Sequence, residues 1–405
     1  MIVTTAGIHA ARIATILSLV SKPTDSARHF VATALFFGKN AVKDNKEQFS
    51  QFGKRAFIVT DEFLDGCRNY ALEDVTEVLN ELGIEYAIND STEDNPPVES
   101  CVEIAREARA FAPDFIIGIG GGSALDTAKT VDYLVTQPED ADPYDILFSG
   151  APFYSHLYQE LTLPLIGIPT TAGTGSEVTG GAVLTRNDID NKDTARHKFY
   201  CTVAFLDARY IRESPPFLIH TGVMDALAHG VETYINIKSN PMNRAIAAVG
   251  MNMFAEFKDS MLNDALTDED YEKMLLAANI MGQAFMQAGT CIPHGMGYPL
   301  SHYKGINHGL SCSVTLGEWL RGFKDQSLVE PVVKMCGFEN TDEMADYVNT
   351  ILARDIKLEV THDEIKAWAV QFCSNPDKLS RNPEPLSVDD IIGIYERALE
   401  KYITD

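Results

Sequence analysis

The sequence predicts two domains, an α/β domain built on a parallel sheet followed by an all-helical domain. In the first half, apolar runs typical of strands alternate with amphipathic runs typical of helices, which is the pattern of a parallel sheet. The strand-like runs lie near 55–60, 84–88, 115–119, 163–168 and 203–206, with helical stretches at 74–82 and 98–110. From Pro215 onward the strand-like runs stop, and long helical patterns such as 243–257 and 271–288 replace them.

These patterns divide the chain into residues 1–22, 23–213 and 214–405. The Pro215-Pro216 pair marks the main boundary, because proline ends the preceding structure and commonly opens a helix. The first segment has helical apolar spacing, but Arg12 interrupts a run that is too short to span a bilayer. We expect it to be a helical extension that packs on the body or on another subunit, rather than a signal peptide.

Composition excludes several classes of partner. The 405 residues carry a formal charge of −25, so nucleic acids and anionic membranes would be repelled. The seven cysteines are scattered, odd in number and without a CxxC pair, which favours free thiols in a reducing cytoplasm. We therefore expect a cytoplasmic protein that acts on small molecules. Separately from composition, we expect it to be a homo-oligomer, a homodimer.

Asp225 and His229 are the first half of a predicted metal site. They lie in TGVMDALAHGVETY, whose apolar residues recur at helical spacing. Side chains at i and i+4 share one face of a helix, so the carboxylate and the imidazole point the same way. The alternative is a local hydrogen bond on the helix surface.

His294 and His308 supply the second half of this site. They lie in CIPHGMGYPLSHYKGINHG, where we expect the glycines and Pro299 to break the chain and let the two imidazoles converge. Three imidazoles and one carboxylate suit Fe(II) or Zn(II) better than Mg or Ca. Cys291, three residues before His294, is a further donor, although the set of four is already complete. The alternative is that these histidines lie in an unrelated loop.

Two glycine- and hydroxyl-rich loops follow predicted strands. In FIIGIGGGSALDTAK, residues 115–129, a buried strand ends at Gly120, Gly121 and Gly122 before a helix that begins near Ser123. Backbone N–H groups of such a turn, with the helix N-terminus, favour a pyrophosphate. A second loop, PTTAGTGSEVT at 169–179, offers hydroxyls for phosphates, ribose or nicotinamide. Neither is the usual Rossmann fingerprint or a Walker loop, and each alone is also explained as a tight turn.

Together these stretches resemble the iron-containing (group III) alcohol dehydrogenases over most of the chain, from about residue 30 to 400. The matching segments are FFGKNAV, the GGGSxxDxAK loop, PTTAGTGSEVT, AFLDARY, TGxxDALxHxxExY, HGMGYPL with KGIxHG, and NPEPLSxxDIxxIYxxAL. The resemblance implies a Rossmann-like domain and an all-α domain, as in dehydroquinate synthase-like folds, with iron favoured over zinc. It implies metal ligands at Asp225, His229, His294 and His308. It implies cofactor contacts at Asn95, Gly121, Gly122, Ser123, Asp126, Thr170, Thr171 and Thr174.

Asp61 predicts the choice of cofactor. It ends the strand-like run 55–60, where a carboxylate accepts hydrogen bonds from the adenosine ribose and repels a 2′-phosphate. NAD is therefore favoured over NADP. The alternative is that Asp61 only caps the next helix.

Tyr298 departs from the family pattern. Many relatives carry a second histidine at this position, four residues after His294, which is implicated in proton handling. Tyr298 or His302 would have to move the proton here, unless His302 is simply an exposed loop residue. The proton route is open at this stage.

The resemblance implies hydride transfer between a nicotinamide and an alcohol or aldehyde in the cleft between the domains, with the ion as Lewis acid. Three alternatives stay open: a zinc-dependent glycerol or polyol dehydrogenase, a dehydroquinate synthase-like lyase, and a non-catalytic descendant. The lyase needs basic residues around its substrate, and near the ligands we see only Lys304. The sequence does not fix the substrate, whose pocket we expect to depend on Val183, Phe285 and Leu300.

Overall fold

The computed structural model describes residues 32–62, 68–354, 356–374 and 376–405. By its internal contacts the chain forms two compact units, one ending at Pro215 and the other running from Pro216 to Asp405. The expected helix within residues 1–22 lies outside the described residues.

The first unit contains a six-stranded sheet in which every neighbouring pair of strands is parallel, in the order β1-β8-β5-β4-β2-β3. Its strands are β1 (Ala34–Phe37), β2 (Arg55–Thr60), β3 (Glu85–Asn89), β4 (Phe115–Gly120), β5 (Leu165–Pro169) and β8 (Val203–Leu206). A separate antiparallel hairpin pairs β6 (Val183–Arg186) with β7 (Asn191–Thr194). The predicted parallel-sheet domain is confirmed.

Helices cover both faces of this sheet. They are α1 (Ala41–Asp44), α2 (Glu47–Ser50), α3 (Tyr70–Leu82), α4 (Val98–Phe111), α5 (Gly122–Thr136), α6 (Pro143–Phe148) and α7 (Arg209–Arg212). The central strand β4 is buried at every residue, because Ile116 packs in the core under α4 and α5 while Ile117 packs in the core under α3. A strand covered on both faces reads as a continuous apolar run, which is why β4 was predictable.

The strands that the sequence did not predict are short or lie at an edge. Strand β1 has four residues at the edge of the sheet, and Phe37 at its end is 66% exposed. The hairpin strand β7 reads NKDT and carries no apolar residue. Neither has the buried apolar run that identifies the inner strands.

The second unit is helical, as predicted. Its helices are α8 (Pro216–Ile235), α9 (Pro241–Leu262), α10 (Asp268–Ala288), α11 (Ile292–Lys304), α12 (His308–Ser313), α13 (Leu316–Arg321), α14 (Glu330–Met335), α15 (Thr341–Leu352), α16 (His362–Ser374), α17 (Pro376–Leu379) and α18 (Val388–Leu399). In its described part, strand-type pairing is limited to an isolated bridge between Val360 and Ile403. Helices α8, α9 and α10 pack against one another.

One expectation about the ligand segment is wrong. Gly295, Gly297 and Pro299 do not break the chain, because α11 runs through all three, and the chain turns only at Gly305, which has φ +65°. The glycines serve close packing instead. A Cβ at Gly295 would lie 2.2 Å from the ring of Phe372, and one at Gly297 would lie 2.7 Å from the carbonyl oxygen of Ser311.

Gly309 fixes how closely α12 approaches α8. A Cβ at this position would lie 2.2 Å from the carbonyl oxygen of Thr221 and 3.2 Å from Cβ of Asp225. Real Cβ atoms do not approach backbone this closely, so only glycine permits the contact. The helix that begins at His308 is therefore held directly against the helix that carries Asp225.

No helix in the described part of the chain is long and apolar enough to cross a membrane. The six described cysteines are free thiols, and Cys67 lies outside the described residues.

We predict that Gly309→Ala lowers the free energy of unfolding by about 1–3 kcal/mol, because the added methyl forces α12 away from α8. Gly393→Ala is the matched control. In α18 the new Cβ meets only the end of the flexible Arg397 side chain, at 3.1 Å. The control should be neutral or stabilising, since alanine favours a helix interior by about 0.5–1 kcal/mol. Thermal unfolding followed by circular dichroism compares the two, and equal melting temperatures would refute the close-contact argument.

Candidate metal centre and dinucleotide-binding loops

Three helices of the second unit bring the predicted ligand quartet together. On α8, the Oδ1 atom of Asp225 lies 3.9 Å from Nε2 of His229, one turn further along. From α11, Nε2 of His294 lies 2.9 Å from Nε2 of His229 and 3.3 Å from Oδ1 of Asp225. His308, the first residue of α12, has its ring centre 5.8 Å from that of His294. The segments that sequence reasoning paired therefore meet in one buried cluster.

This geometry fits a divalent ion. Donors bound at about 2.0–2.1 Å in tetrahedral or octahedral arrangement lie about 2.8–3.4 Å apart. The two distances from Nε2 of His294, 2.9 and 3.3 Å, fall in that range, and the distance of 3.9 Å between Asp225 and His229 lies just above it. Asp225 is 1% exposed, yet its Oδ1 makes no directed hydrogen bond with any described residue. Buried carboxylate oxygens ordinarily have a partner. A cation at this point would supply the missing one.

The cluster sets the charges of its members. Burial acts to raise the pKa of Asp225, but the nearby imidazoles of His229, His294 and His308 outweigh it and hold that pKa well below its usual value. Burial lowers the pKa of His229 to about 3, so this imidazole is neutral and able to bind a cation. For His294, burial acts to lower the pKa, but Glu232 and Asp225 raise it to about 9.

Glu232 is one of the side chains at this site that the sequence did not predict. It is fully buried on α8, where its carboxylate pairs with Nδ1 of His294 and accepts a hydrogen bond of 2.5 Å from the backbone N–H of Cys291. An acidic partner on the far nitrogen fixes the ring so that Nε2 faces the other donors. The signal was present in the sequence, because Asp225, His229 and Glu232 recur at i, i+4 and i+7 on one helical face.

Cys312 also joins the cluster. Its Sγ lies 3.5 Å from Nδ1 of His308, and donor atoms of Asp225, His294, His308 and Cys312 all lie within 4.8 Å of one another. Cys291, the thiol considered from the sequence, lies elsewhere, with its Sγ 4.0 Å from the carbonyl oxygen of Glu232.

The residues expected to shape the pocket occupy different places. Phe285 stacks on His229, with ring centres 4.0 Å apart and an interplanar angle of 13°. Leu300 is fully buried in α11. Val183 belongs to the first unit, where it is 37% exposed at the start of β6. Of these three, Phe285 is the one seen in contact with the cluster of Asp225 and the histidines.

Tyr298 and His302, the candidates for proton handling, both lie in α11. The ammonium of Lys378 lies 4.7 Å from the centre of the Tyr298 ring and donates a hydrogen bond of 3.0 Å to the hydroxyl of Thr290. Sequence reasoning missed Lys378 because it lies 80 positions further on. The expectation that His302 is an exposed loop residue is wrong, since it is half-buried within the helix and contacts the ring of Tyr303.

The two predicted nucleotide loops of the first unit touch one another. Strand β4 ends at Gly120, with φ +148°, and α5 begins at Gly122. The backbone N–H of Thr170 donates to the carbonyl oxygen of Gly120 at 3.0 Å. A Cβ at Gly121 would lie 3.3 Å from the methyl of Thr171, and one at Gly122 would lie 2.7 Å from that of Thr174. The glycines let the threonines approach the start of α5.

Several expected cofactor contacts hold these loops in place. The carboxylate of Asp126 accepts hydrogen bonds from the Ser176 hydroxyl at 2.6 Å and the Val183 N–H at 2.8 Å. The Asn95 N–H donates to Oγ of Ser123 at 3.2 Å. The side-chain oxygen of Asn95 accepts from Lys192 at 2.7 Å. Asp126 and Asn95 therefore already form hydrogen bonds with other residues of the protein.

Asp61, directly after β2, is different. Its Oδ1 is buried and has no partner among the described residues, and both its carboxylate oxygens would lie 3.1 Å from a Cβ at Gly120. Burial raises the pKa of Asp61 to about 6. An unpaired buried acceptor beside a glycine turn at the carboxyl ends of parallel strands fits the ribose of a dinucleotide.

Comparison with known proteins shows similarity over most of the chain. The model of the iron-containing alcohol dehydrogenase family matches residues 32–208, and the model of the family's C-terminal part matches residues 219–399. Lactaldehyde reductase of Escherichia coli (strain K12) is 28% identical over 388 residues, covering 90% of this chain and 97% of that protein. The NAD-dependent methanol dehydrogenase of Bacillus methanolicus is 29% identical, over 71% of this chain and 73% of that protein.

Solved structures extend the agreement to the fold. An iron-containing alcohol dehydrogenase from Thermotoga maritima superimposes with a TM-score of 0.80 and 29% identity, covering 93% of this chain and all of that one. With both family models matched in order along the chain, this protein belongs to the iron-containing alcohol dehydrogenase family.

Proposed function

We propose that this oxidoreductase is a metal-dependent, NAD-linked alcohol dehydrogenase that interconverts a primary alcohol, or a small hydroxy compound, and its aldehyde. The observation that carries the proposal is the buried cluster of Asp225, His229 and His294, in which a carboxylate oxygen without a hydrogen bond faces two imidazole nitrogens at 3.3 and 3.9 Å. The relatives' names, a lactaldehyde reductase and a methanol dehydrogenase, support small alcohols and aldehydes as the substrate class.

Asp225, His229, His294 and His308 would hold the ion, with Fe(II) favoured and Zn(II) acceptable to the same donors. When bound, the ion supplies Lewis acidity toward the substrate oxygen. When the ion binds, it displaces the proton from the ligating nitrogen of His294, so one carboxylate and three neutral imidazoles leave a divalent ion with a net charge of +1, which keeps it electrophilic.

The protein's own side chains prepare the site for this chemistry. Glu232 fixes the ring of His294, so that its Nε2 faces Asp225 and His229. Phe285 lies flat against His229 and keeps water from that face of the ring. For the proton that an alcohol loses, Tyr298 and His302 are the residues that we propose, and Tyr298 lies four residues after His294 on the same helical face.

The first unit would hold the NAD, whose nicotinamide supplies or accepts the hydride. Gly121, Gly122 and Ser123 would receive the pyrophosphate at the N-terminus of α5. Thr170, Thr171 and Thr174 offer hydroxyls from the second loop. Asp126 connects the two loops through the Ser176 hydroxyl, and the Asn95 N–H holds the hydroxyl of Ser123. Asp61 would bind the adenosine ribose, which favours NAD over NADP.

The finer organisation also belongs to the proposal. Residues 23–213 would form the dinucleotide-binding domain and residues 214–405 the metal-binding domain. We propose a cytoplasmic homodimer. Sedimentation velocity of the purified protein tests the dimer.

We predict metal-dependent NADH formation from a short alcohol. The protein is stripped with a chelator, reloaded separately with Fe(II), Zn(II) or Ni(II), and assayed by NADH absorbance over two- to six-carbon alcohols and aldehydes. Turnover should return only with a bound ion. Absence of turnover with every compound despite measured metal occupancy would refute the dehydrogenase proposal.

Ligand variants should lose metal in a graded way. We predict that His294→Ala or His308→Ala removes most of the bound ion and most of the activity. Glu232→Gln changes the partner of His294 but keeps a side-chain oxygen for the Cys291 N–H, and it should weaken metal affinity about 10–100-fold. His362→Ala is the control, because this histidine pairs with Asp405 at the protein surface. The measurement is the metal content of the four purified variants. Full metal occupancy in the His294 or His308 variant would contradict the assignment of that histidine as a ligand.

Asp61 should control both cofactor choice and the pH dependence of NAD binding. Since its pKa is about 6, the carboxylate is ionised above that pH and protonated below it. If only the ionised form holds the ribose, about one molecule in ten is competent at pH 5, and the apparent Kd for NAD⁺ rises about tenfold relative to pH 7.5. Binding calorimetry at both pH values measures this.

The matched variants are Asp61→Asn and Asp61→Ser. The first should bind NAD⁺ weakly with no change in affinity between pH 5 and 7.5. The second removes the repulsion of a 2′-phosphate and should raise kcat/KM for NADP⁺ at least about tenfold. A pH profile identical in wild type and Asp61→Asn would exclude the carboxylate as the titrating group.

A further inference from the structure

The metal cluster contains a sulfur donor in addition to its imidazoles and carboxylate. Cys312 follows His308 by one turn of α12 and is fully buried. Its Sγ lies 3.5 Å from Nδ1 and 3.7 Å from Nε2 of His308. At i and i+4, the thiol and the imidazole share the helical face that meets α8 and α11.

The spacing of the donors places the thiol within reach of the same ion. Ligand atoms of Asp225, His294, His308 and Cys312 lie within 4.8 Å of one another. With Zn–S bonds of about 2.3 Å and Zn–N bonds of about 2.0–2.1 Å, sulfur and nitrogen ligands of one ion lie about 3–4.4 Å apart. Small movements of the side chains therefore bring all four donors onto one cation.

A second, independent observation points to the same place. Asp225 belongs to this donor set, is 1% exposed, and has an Oδ1 that no described residue partners. Cys312 is a described thiol whose Sγ lies within 4.8 Å of a ligand oxygen of that carboxylate. Cys291, although close to His294 in sequence, has its sulfur beside the carbonyl of Glu232.

We propose that the thiolate of Cys312 is a further ligand of the active-site ion, beside the histidines and Asp225. This inference rests on the proposed metal-dependent function. When the bond between sulfur and metal forms, the S–H proton leaves to solvent, and neither sulfur nor metal changes oxidation state. The coordinated ion then carries one more negative ligand, so its net charge falls from +1 to 0.

The thiolate also changes which ions the site prefers. Soft sulfur donors favour Zn(II), Co(II) and Cd(II), whereas Mn(II) prefers oxygen and nitrogen. Cys312 would therefore shift this shell toward softer ions than one carboxylate and three imidazoles alone. The substrate oxygen would face a less electrophilic ion, with Asp225 and Cys312 both contributing negative charge.

The test is the spectrum of the Co(II)-loaded enzyme, prepared from full-length protein. Wild type should show a near-ultraviolet charge-transfer band from thiolate to cobalt, which Cys312→Ser removes. Cys291→Ser, another buried cysteine of the same unit, should keep the band. A spectrum without the band in wild type, or a band that Cys312→Ser retains, would overturn the proposal.

Two further measurements guard against a misfolded variant. X-ray absorption of the Zn(II)-loaded wild type should show one sulfur neighbour at about 2.3 Å. Cys312→Ser should lower Cd(II) affinity at least about tenfold while changing Mn(II) affinity less. A zinc shell of nitrogen and oxygen alone overturns the Cys312 assignment and leaves the proposed function intact. Failure of wild type to bind any divalent ion overturns both.

Discussion

The burial of two carboxylates, Asp225 and Glu232, is the constraint on which the second unit depends. They lie on one face of α8 and are 1% and 0% exposed. Removing a carboxylate from water costs several kcal/mol, even after the protein relaxes, unless charges and hydrogen bonds replace the lost solvation. Glu232 has its replacements in His294 and the Cys291 N–H, whereas Asp225 faces imidazoles and keeps one unpartnered oxygen. Helices α11 and α12 must therefore converge on α8.

That convergence explains the glycines around the ligands. Gly309 brings α12 against the Thr221 carbonyl, and Gly297 brings α11 against the Ser311 carbonyl, with no room for a methyl at either place. The three helices are packed at backbone contact, which limits how far His294 and His308 can move apart. Rigid secondary structure positions ligands more accurately than loops do. A buried metal site needs such rigid packing, because a displacement of about 1 Å in one donor atom weakens the binding of the ion.

The first unit also contains a buried charge that neighbouring groups stabilise, in this case the ammonium of Lys129. Lys129 in α5 is fully buried, and its ammonium donates to the Ser176 hydroxyl at 2.6 Å and the Gly181 carbonyl at 2.8 Å, beside Asp126 at 3.3 Å. This network connects the helix after the first loop to the second loop. The sequence motif that resembles a family signature thus includes residues whose role is to fix the loops.

Sequence reasoning succeeded where one physical signal dominates. The buried strands β4 and β5 are continuous apolar runs, and the helical spacing of Asp225 and His229 fixes a shared face without knowledge of the fold. It failed where one residue type has two uses. Gly295 and Gly297 read as chain breakers, because sequence does not distinguish a glycine that bends the backbone from one that admits a neighbouring side chain or backbone. Cys312 went unnoticed for a related reason: a thiol one turn after a histidine becomes informative only when the helix faces other donors.

The acidic residues show most clearly what the structure adds to the information in the sequence. The chain has 58 of them, and nothing in the sequence separates structural from ligand-binding carboxylates. Asp126 and Glu232 use their oxygens within the protein, accepting hydrogen bonds from backbone and side chains. Among the described carboxylates that are not exposed, buried oxygens without a partner occur only at Asp61 and Asp225. One lies beside the glycine turn after β4 and the other among the histidines, so the two unpaired oxygens lie at the positions where we propose that a cofactor and an ion bind.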